Sequence, residues 1–414
     1  MKRFAALVLT AALLAGCGKS TAKAPNPAPA PPASEAPAPQ LPAGPPLVDG
    51  PATPPAPEFP AFPDMRLMTL DELRAALEQY MNAEGTAAPR ERLAALLEHW
   101  GLRAGDNGEV AVTPMAEADL NGDGAPELIT ALTTRYRGIT GAVFVIDCQG
   151  GRCRVDMSDS PREPYMDGVA LMGTADLTGD GKPEIVWVAG DHGAHTSSTR
   201  VLVSRWQPGK VENLPGDMIT TMARVKIDGE NIVLIGGTVG SAGAGMTQRA
   251  AEFRYRWNGS EFFLTDRRFE PSEYAYHRLV DGINAETFQR SNEALDFYRS
   301  ALEPGRPALP AEHVPSEWQE RFGQAVTEFA RFRLGLRLGT NGDIAGAQTV
   351  LSAAAGPFAG LSKALAQFGG CPAAVTWGEA NPVFFAALGS PYGYNNYRWT
   401  PADLCSVALP DNGM

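Results

Sequence analysis

A nine-residue loop with oxygen-bearing side chains at alternate positions occurs twice in this 414-residue chain and constrains its fold more than any other feature. The two copies are Asp119-Leu-Asn121-Gly-Asp123-Gly-Ala125-Pro-Glu127 and Asp176-Leu-Thr178-Gly-Asp180-Gly-Lys182-Pro-Glu184. Side-chain oxygens fall at positions 1, 3, 5 and 9, and position 7 can offer its carbonyl. A hard cation such as Ca²⁺ takes about six to eight oxygens. Glycines at positions 4 and 6 permit the tight turn that such ligands need.

The loops are not EF-hands, because an EF-hand has helices on both sides and a bidentate Glu at position 12. Position 12 is Thr130 in the first copy and Trp187 in the second, and an apolar, β-branched run follows each loop. The motif resembles the FG-GAP/VCBS repeats of β-propeller proteins, in which such loops hold Ca²⁺. One or two structural Ca²⁺ ions are therefore expected, with ligands from Asp119, Asn121, Asp123, Ala125 and Glu127, and from Asp176, Thr178, Asp180, Lys182 and Glu184. Thr178 departs from the usual Asp or Asn. The alternative is two acidic turns held by their own side-chain-to-backbone hydrogen bonds.

Three hairpin tips predict a repeated β unit. They are Cys148-Gln-Gly-Gly, Trp206-Gln-Pro-Gly and Trp257-Asn-Gly, spaced by 58 and 51 residues, and each follows a strand pattern. We expect about three four-stranded, propeller-like antiparallel blades. The third unit enters through residues 225–232 and lacks the ligands, so no Ca²⁺ is expected there. Three blades leave an open arc whose edge strands need a cover, and the flanking helices are the candidates.

Helical periodicity is found on both sides of the β region. The capping box Thr69-Leu-Asp-Glu72 predicts one helix, and Pro89 predicts the first turn of a second. After residue 274 the apolar period changes from two to 3.6. Small and aromatic residues there resemble those of tetratricopeptide repeats: Gly282, Ala294, Tyr298 and Ala301, then Gly335, Leu338, Ala347 and Leu351. A plain helical bundle is the alternative. The tail from Cys371 is expected to be irregular and packed on the helices.

The five cysteines divide into a lipid site and two pairs. Cys148 and Cys153 flank a hairpin turn, and Cys371 and Cys405 are left to close the C-terminal segment. An even number of cysteines in an exported chain favours disulfides. Metal binding by free thiols is the disfavoured alternative, since neither pair has the spacing of a zinc site.

The N-terminus resembles that of a bacterial lipoprotein. A basic Met1-Lys2-Arg3 and a short apolar run precede Leu14-Ala15-Gly16-Cys17, which is similar to a lipobox. The resemblance implies cleavage before Cys17 and its acylation. Residues 25–63 hold 16 of the 35 prolines and predict an extended, disordered tether.

A histidine-containing loop is the other candidate site. In Asp191-His192-Gly-Ala-His195-Thr-Ser197, the acidic and imidazole groups could bind a transition metal, or act as acid and base near Ser197. The chain supplies no third histidine or matching Glu at suitable spacing. A structural hydrogen-bonding loop is therefore the preferred interpretation.

The predicted fold class is multidomain β + α. The expected divisions are a signal peptide (1–16), the acylated Cys17 with its tether (17–64), a helical hairpin (65–104), an FG-GAP/VCBS-like β domain (105–270), a TPR-like helical domain (271–370) and a disulfide-closed C-terminal segment (371–414). The chain is acidic, with a formal net charge of −12 and no basic cluster, which argues against nucleic-acid binding.

The preferred functional hypothesis is a non-enzymatic, Ca²⁺-stabilised binding or scaffold lipoprotein of the bacterial cell envelope, in the periplasm or at the surface. Its expected partners are the membrane, through the lipid anchor, and a protein or an envelope glycan. Two alternatives remain: a metal-dependent hydrolase using the Asp191–Thr199 loop, and a polysaccharide- or peptidoglycan-binding module using exposed aromatic residues of the tail.

Overall fold

Antiparallel sheets lie between two groups of helices in the computed structural model of the chain. The model describes residues 59, 61, 68–102, 105–106, 111–134, 140–160, 166–192, 197–237, 249–310, 314–368, 370–389 and 397–410. Cys17, the signal peptide and nearly all of the tether lie outside the described residues, as does His195.

A helical hairpin precedes the sheets, as the sequence predicts. It consists of α1 (Leu70–Asn82) and α2 (Pro89–His99). The Thr69 side chain accepts a hydrogen bond from the Glu72 amide at 3.2 Å, and the Glu72 carboxylate accepts one from the Thr69 amide at 2.8 Å. This reciprocal pair satisfies two amides that the first helical turn leaves unpaired. Pro89 occupies the first position of α2, where a missing N–H costs nothing.

The β region consists of three four-stranded meanders, preceded by the short strands β1 (Gly105–Asp106) and β2 (Ala111–Val112). The first meander contains β3 (Ala116–Ala118), β4 (Glu127–Thr134), β5 (Thr140–Gln149) and β6 (Arg152–Met157). The second contains β7 (Met166–Ala175), β8 (Glu184–His192), β9 (Ser197–Gln207) and β10 (Lys210–Asn213). The third contains β11 (Met218–Asp228), β12 (Asn231–Gly237), β13 (Ala251–Trp257) and β14 (Phe262–Phe269). All three predicted hairpin tips connect adjacent strands.

Strand β11, the first strand of the third meander, also pairs with the second meander. Its first half pairs with β9, from Met218 with Val201 to Thr221 with Ser198. After a register shift its second half pairs with β12, from Arg224 with Ile235 onward. The second and third meanders are therefore one continuous eight-stranded sheet.

The meanders pack face to face, because alternate residues of each strand point to opposite sides. In β4, Leu128 and Leu132 pack with α1 and α2, whereas Ile129 packs with Ile185 and Trp187 of the second meander. The opposite face of the second meander packs against the third, through Val186, Val188, Val201, Val203, Ile232, Leu234 and Phe253. The β region is thus a stack of sheets with a helical hairpin on its first face.

Helix α1 also covers the free edge of β6. Three side chains one turn apart on α1, namely Arg74, Glu78 and Asn82, bind the outward backbone groups of this last strand of the first sheet. The Asn82 amide donates to the Cys153 carbonyl at 2.7 Å and accepts from the Cys153 N–H at 2.8 Å. Glu78 accepts from the Val155 N–H at 3.3 Å. At this edge the helix takes the place of a neighbouring strand.

Asn82→Ala should lower the free energy of unfolding by about 1–2 kcal/mol, because it removes both side-chain hydrogen bonds to Cys153. Urea unfolding followed by circular dichroism, with the disulfides intact, measures this. Gln79→Ala, at an exposed position of the same helix, should change stability by less than about 0.5 kcal/mol. Equal effects in the two variants would show that the contacts to β6 contribute nothing.

Helices form the C-terminal part of the chain. They are α3 (Ala275–Thr287), α4 (Ser291–Ala301), α5 (Ser316–Thr340), α6 (Ile344–Ser352), α7 (Gly360–Phe368), α8 (Cys371–Ala380) and α9 (Pro382–Leu388), followed by a 3-10 helix at Pro401–Leu404. Small residues allow close packing, as expected. A Cβ on Gly282 would lie 2.3 Å from the Tyr298 ring, and one on Gly335 would lie 2.6 Å from Leu351. Within the described residues, no helix is both long and apolar enough to cross a membrane.

The expectation of an irregular tail is wrong for its first part, because α8 and α9 are helical. Both helices are short and lack a side-chain N-cap hydrogen bond. Their stability therefore comes from burial against α5 and α7. Both predicted disulfides are present: Cys148–Cys153 joins β5 to β6, and Cys371–Cys405 joins α8 to the residue after the 3-10 helix.

Candidate metal-binding loops

The two acidic loops have the same backbone arrangement. Asp119 accepts hydrogen bonds from the Gly122 amide at 2.7 Å and the Gly124 amide at 2.8 Å. Asp176 accepts from the corresponding Gly179 and Gly181 amides at 2.8 and 3.0 Å. All four glycines have positive φ, from 74° to 90°, a region that side chains with a Cβ rarely adopt. The repeated glycines of the motif thus have the predicted conformational role.

Each loop is fixed to its sheet by the glutamate at position 9. Glu127 begins β4 and accepts from the Leu120 amide at 2.8 Å, and Glu184 begins β8 and accepts from the Leu177 amide at 2.9 Å. Both glutamates are only 1 % exposed. Each loop therefore places one carboxylate in the protein interior, directly under its exposed turn.

An amide group lies between the carboxylates of the first loop. The Asn121 Nδ2 donates to Asp123 Oδ2 at 2.9 Å and to Glu127 Oε1 at 3.1 Å. Gln149, the last residue of β5, donates to the same Asp123 oxygen at 2.7 Å. The Asn121 side chain carries Oδ1 on the same carbon as Nδ2. Rotation of this amide by 180° would therefore place an acceptor oxygen where the donor nitrogen now lies. Positions 3, 5 and 9 thus face a common point.

The first loop has a large excess of negative charge. Burial raises the pKa of Glu127, and the charges of Asp123 and Asp147 raise it further. None of the ion pairs between described residues involves Asp119, Asp123 or Glu127. Ionised Glu127 therefore costs free energy in the folded protein unless a cation lies near it.

The second loop holds a guanidinium group at the corresponding point. Arg205 on β9 places Nη2 at 2.8 Å from Thr178 Oγ1, 3.2 Å from Asp180 Oδ2 and 3.0 Å from Glu184 Oε1. These three oxygens belong to positions 3, 5 and 9 of the loop. Two Arg205 nitrogens contact Glu184, because Nε is 3.3 Å from the same oxygen. A positive charge of the chain itself therefore lies beside two of the three carboxylates of this loop.

The strand register explains why the loops differ. Leu128 pairs with Ile146 in the first meander, and Ile185 pairs with Ser204 in the second. The next residue toward each loop is Asp147 in the first case and Arg205 in the second. The sequence analysis did not identify either residue, although both immediately precede an aligned hairpin tip. That alignment is the signal that could have found them.

The histidine loop is described only in part. Asp191 and His192 end β8, where they pair with Ser198 and Ser197 of β9. His195 lies outside the described residues.

The aromatic residues of the tail form core rather than surface. Phe384 is 0 % exposed, and Tyr397 and Trp399 are 7 % and 6 % exposed. Trp377 and Phe385 pack against the same helical core, while Tyr392 and Tyr394 lie outside the described residues. Phe384, Tyr397 and Trp399 therefore belong to the core and are not part of an exposed aromatic surface.

The residues of the first loop fit a hard cation if neutral oxygens serve as ligands together with the carboxylates. In the described part of the chain, no three Asp, Glu, His or Cys side chains converge on one metal position. A Ca²⁺ ion held here would therefore need the Asn121 amide oxygen and the Ala125 carbonyl in addition to Asp123 and Glu127. Oxygen donors of this mixed kind are those that Ca²⁺ takes.

Comparison with known proteins identifies no relative. No protein-family model, curated protein or solved structure matches the chain. Its function is therefore inferred from its own residues.

Proposed function

We propose that the chain is a non-enzymatic, lipid-anchored binding or scaffold protein of the bacterial cell envelope, whose β region is stabilised by Ca²⁺. The observation that carries the calcium part is the charge of the first loop. Glu127 is buried beside Asp123 and Asp147 and has no basic partner among the described residues, whereas the equally buried Glu184 pairs with Arg205. Calcium would supply the charge that the first loop lacks.

Propeller-like blades and TPR-like helices are the scaffold elements of this proposal. Support for the blades comes from three consecutive four-stranded meanders that pack face to face, in two of which an acidic loop connects the first strand to the second. Support for the helical repeats comes from the close helix contacts at Gly282 and Gly335. Both architectures offer broad surfaces for protein partners, so a protein is the preferred partner and an envelope glycan the second.

An exported location is supported by the two disulfides, which persist in oxidising compartments. We expect the full-length protein to incorporate labelled palmitate in a bacterial host and to partition with membranes. Cys17→Ala should abolish the label and move the protein to the soluble fraction, because the acylated residue is the proposed anchor. A C371A/C405A variant, which also loses cysteines, should keep the label. Unchanged labelling in Cys17→Ala would refute the lipid anchor.

Calcium should stabilise the protein against unfolding. At about a hundredfold excess over Kd, linkage gives a gain of about 2.7 kcal/mol, and a Kd of about 10⁻⁴–10⁻³ M is typical of extracellular sites. Glu127→Gln should lose most of the gain because it removes one ligand charge. In EDTA the same variant should be at least as stable as the wild type, because burying a neutral amide costs less than burying a carboxylate.

Thermal and urea unfolding of the full-length protein in EDTA and in Ca²⁺ measures both effects. Asp296→Asn, at an exposed acidic residue far from the loops in sequence, is the matched control and should keep the full calcium gain. Stability that does not respond to Ca²⁺ would refute calcium binding. A hydrolase activity that is lost in His195→Ala would refute the non-enzymatic function.

A further inference from the structure

We propose that Arg205 takes the place of the metal ion in the second loop, so that only the first of the two loops binds Ca²⁺. The inference rests on the proposed calcium site in the first loop and narrows the expected stoichiometry from one or two ions to one. Arg205 is thereby the residue that determines which loop depends on metal.

The contacts of Arg205 are those that a bound cation would make. Its Nη2 lies within 3.2 Å of the oxygens at loop positions 3, 5 and 9, contributed by Thr178, Asp180 and Glu184. Hydrogen bonds between a guanidinium and a carboxylate are among the strongest in proteins. An arginine side chain stays charged at every pH that the protein will meet. Arg205 therefore supplies a positive charge to the carboxylates of Asp180 and Glu184 without dependence on an external ion.

The corresponding residue of the first meander has the opposite charge. Asp147 occupies the position of Arg205, and its own ion-pair partner, Arg154, is 3.6 Å away on β6 and closer to Asp156. The first loop therefore holds three carboxylates, those of Asp119, Asp123 and Glu127, and the Asn121 amide lies between the last two. Asp147 adds a fourth negative charge from the neighbouring strand. The two loops thus differ at one position of the neighbouring strand. Aspartate at this position leaves the first loop in need of a divalent cation, whereas arginine gives the second loop a positive charge.

The third meander follows the same rule. Arg256 precedes Trp257 as Arg205 precedes Trp206, and it pairs with Asn231 across the strands. Its guanidinium forms an ion pair with Glu230 in the β11–β12 turn. This turn lacks the metal-ligand sequence altogether. Arginine thus occupies this position in the two meanders that we infer to be free of metal, and aspartate occupies it in the first.

Calcium stoichiometry and calcium-dependent stability test the proposal. The full-length wild type should bind one Ca²⁺ ion in equilibrium dialysis with ⁴⁵Ca²⁺. Arg205→Ala should be less stable in EDTA, should gain a second ion, and should lose it again when Asp180→Ala is added. Asp147→Arg should bind no ion and should be as stable in EDTA as the wild type is in Ca²⁺. Arg256→Ala, at the matched position without ligands, should leave the stoichiometry at one.

The outcomes separate this inference from the proposed calcium function. Two ions bound to the wild type, with one lost in Asp180→Ala, would overturn the role of Arg205 while supporting calcium binding. No ion in the wild type would refute the proposed first site. The role of Arg205 would then stand only if Arg205→Ala gained an ion. An Arg205→Ala variant that gains no ion would overturn the proposal. So would an Arg205→Ala variant that folds only in Ca²⁺, if the double variant with Asp180→Ala folds equally well in Ca²⁺.

Discussion

Arg333→Met should lower the free energy of unfolding by about 3–5 kcal/mol, because it leaves a buried carboxylate without its cation. Arg333 is 1 % exposed and donates to Glu286 Oε2 at 2.6 Å and to the Leu404 carbonyl at 3.1 Å. Tyr298 donates to the other Glu286 oxygen at 2.9 Å. One network therefore joins α3, α4, α5 and the C-terminal 3-10 helix. Urea unfolding of the oxidised protein measures the loss.

Removing the whole network should restore most of that stability. In the triple variant E286L/Y298F/R333M no charge or hydroxyl remains to be satisfied, and buried ion pairs are often replaced by apolar groups at little cost. Arg299→Met on α4 is the control. Its ion pair with Asp296 joins side chains that are 56 % and 76 % exposed, so the expected loss is below about 1 kcal/mol. A triple variant as unstable as Arg333→Met would show that the network stabilises the fold by more than mutual neutralisation.

Phe384→Ala should cost about 3–5 kcal/mol, the typical loss for a fully buried phenylalanine. The Phe384 ring is 0 % exposed. Its centroid lies 5.2 Å from Phe358, 5.4 Å from Trp377, 5.2 Å from Phe385 and 6.1 Å from Phe329. Replacement by alanine therefore leaves a cavity where five aromatic rings meet, and it also removes their edge-to-face contacts.

The neighbouring residue provides the control for Phe384. Val383 is 41 % exposed on the same helix, and Val383→Ala should cost less than about 1 kcal/mol. Calorimetry in the oxidised state gives both values. A loss in Phe384→Ala no larger than that in Val383→Ala would show that α9 is not part of the cooperative core.

Local patterns predict most of the fold because they act over a few residues. The capping box at Thr69, the hairpin tips after β5, β9 and β13, and the glycines of the acidic loops all specify their conformations within one turn. Gly282 and Gly335 were predictable as sites of close helix contact for the same reason, since their neighbours recur at helical spacing. The disulfide partners followed from the hairpin and from the remaining pair.

The residues that distinguish the two loops required more than local pattern. Asp147 and Arg205 lie 20 and 21 residues after Glu127 and Glu184 in the chain, and they reach the loops only through cross-strand register. A shift of the register by one residue would turn each side chain to the other face of its sheet. Helices α8 and α9 were missed for a related reason. Their short, proline-containing sequences carry little helical signal, and tertiary burial stabilises them.

The contact between α1 and the edge of β6 also has a consequence for the order in which the chain folds. About 70 residues separate Asn82 from Cys153, and a chain that is synthesised or exported from its N-terminus completes α1 before β6 emerges. An uncovered edge strand readily pairs with strands of other molecules and starts aggregation. Here the segment that forms the blocking helix is already available when the strand first appears. The order of elements along the chain thus protects newly made molecules from one another, before the protein has any native stability to rely on.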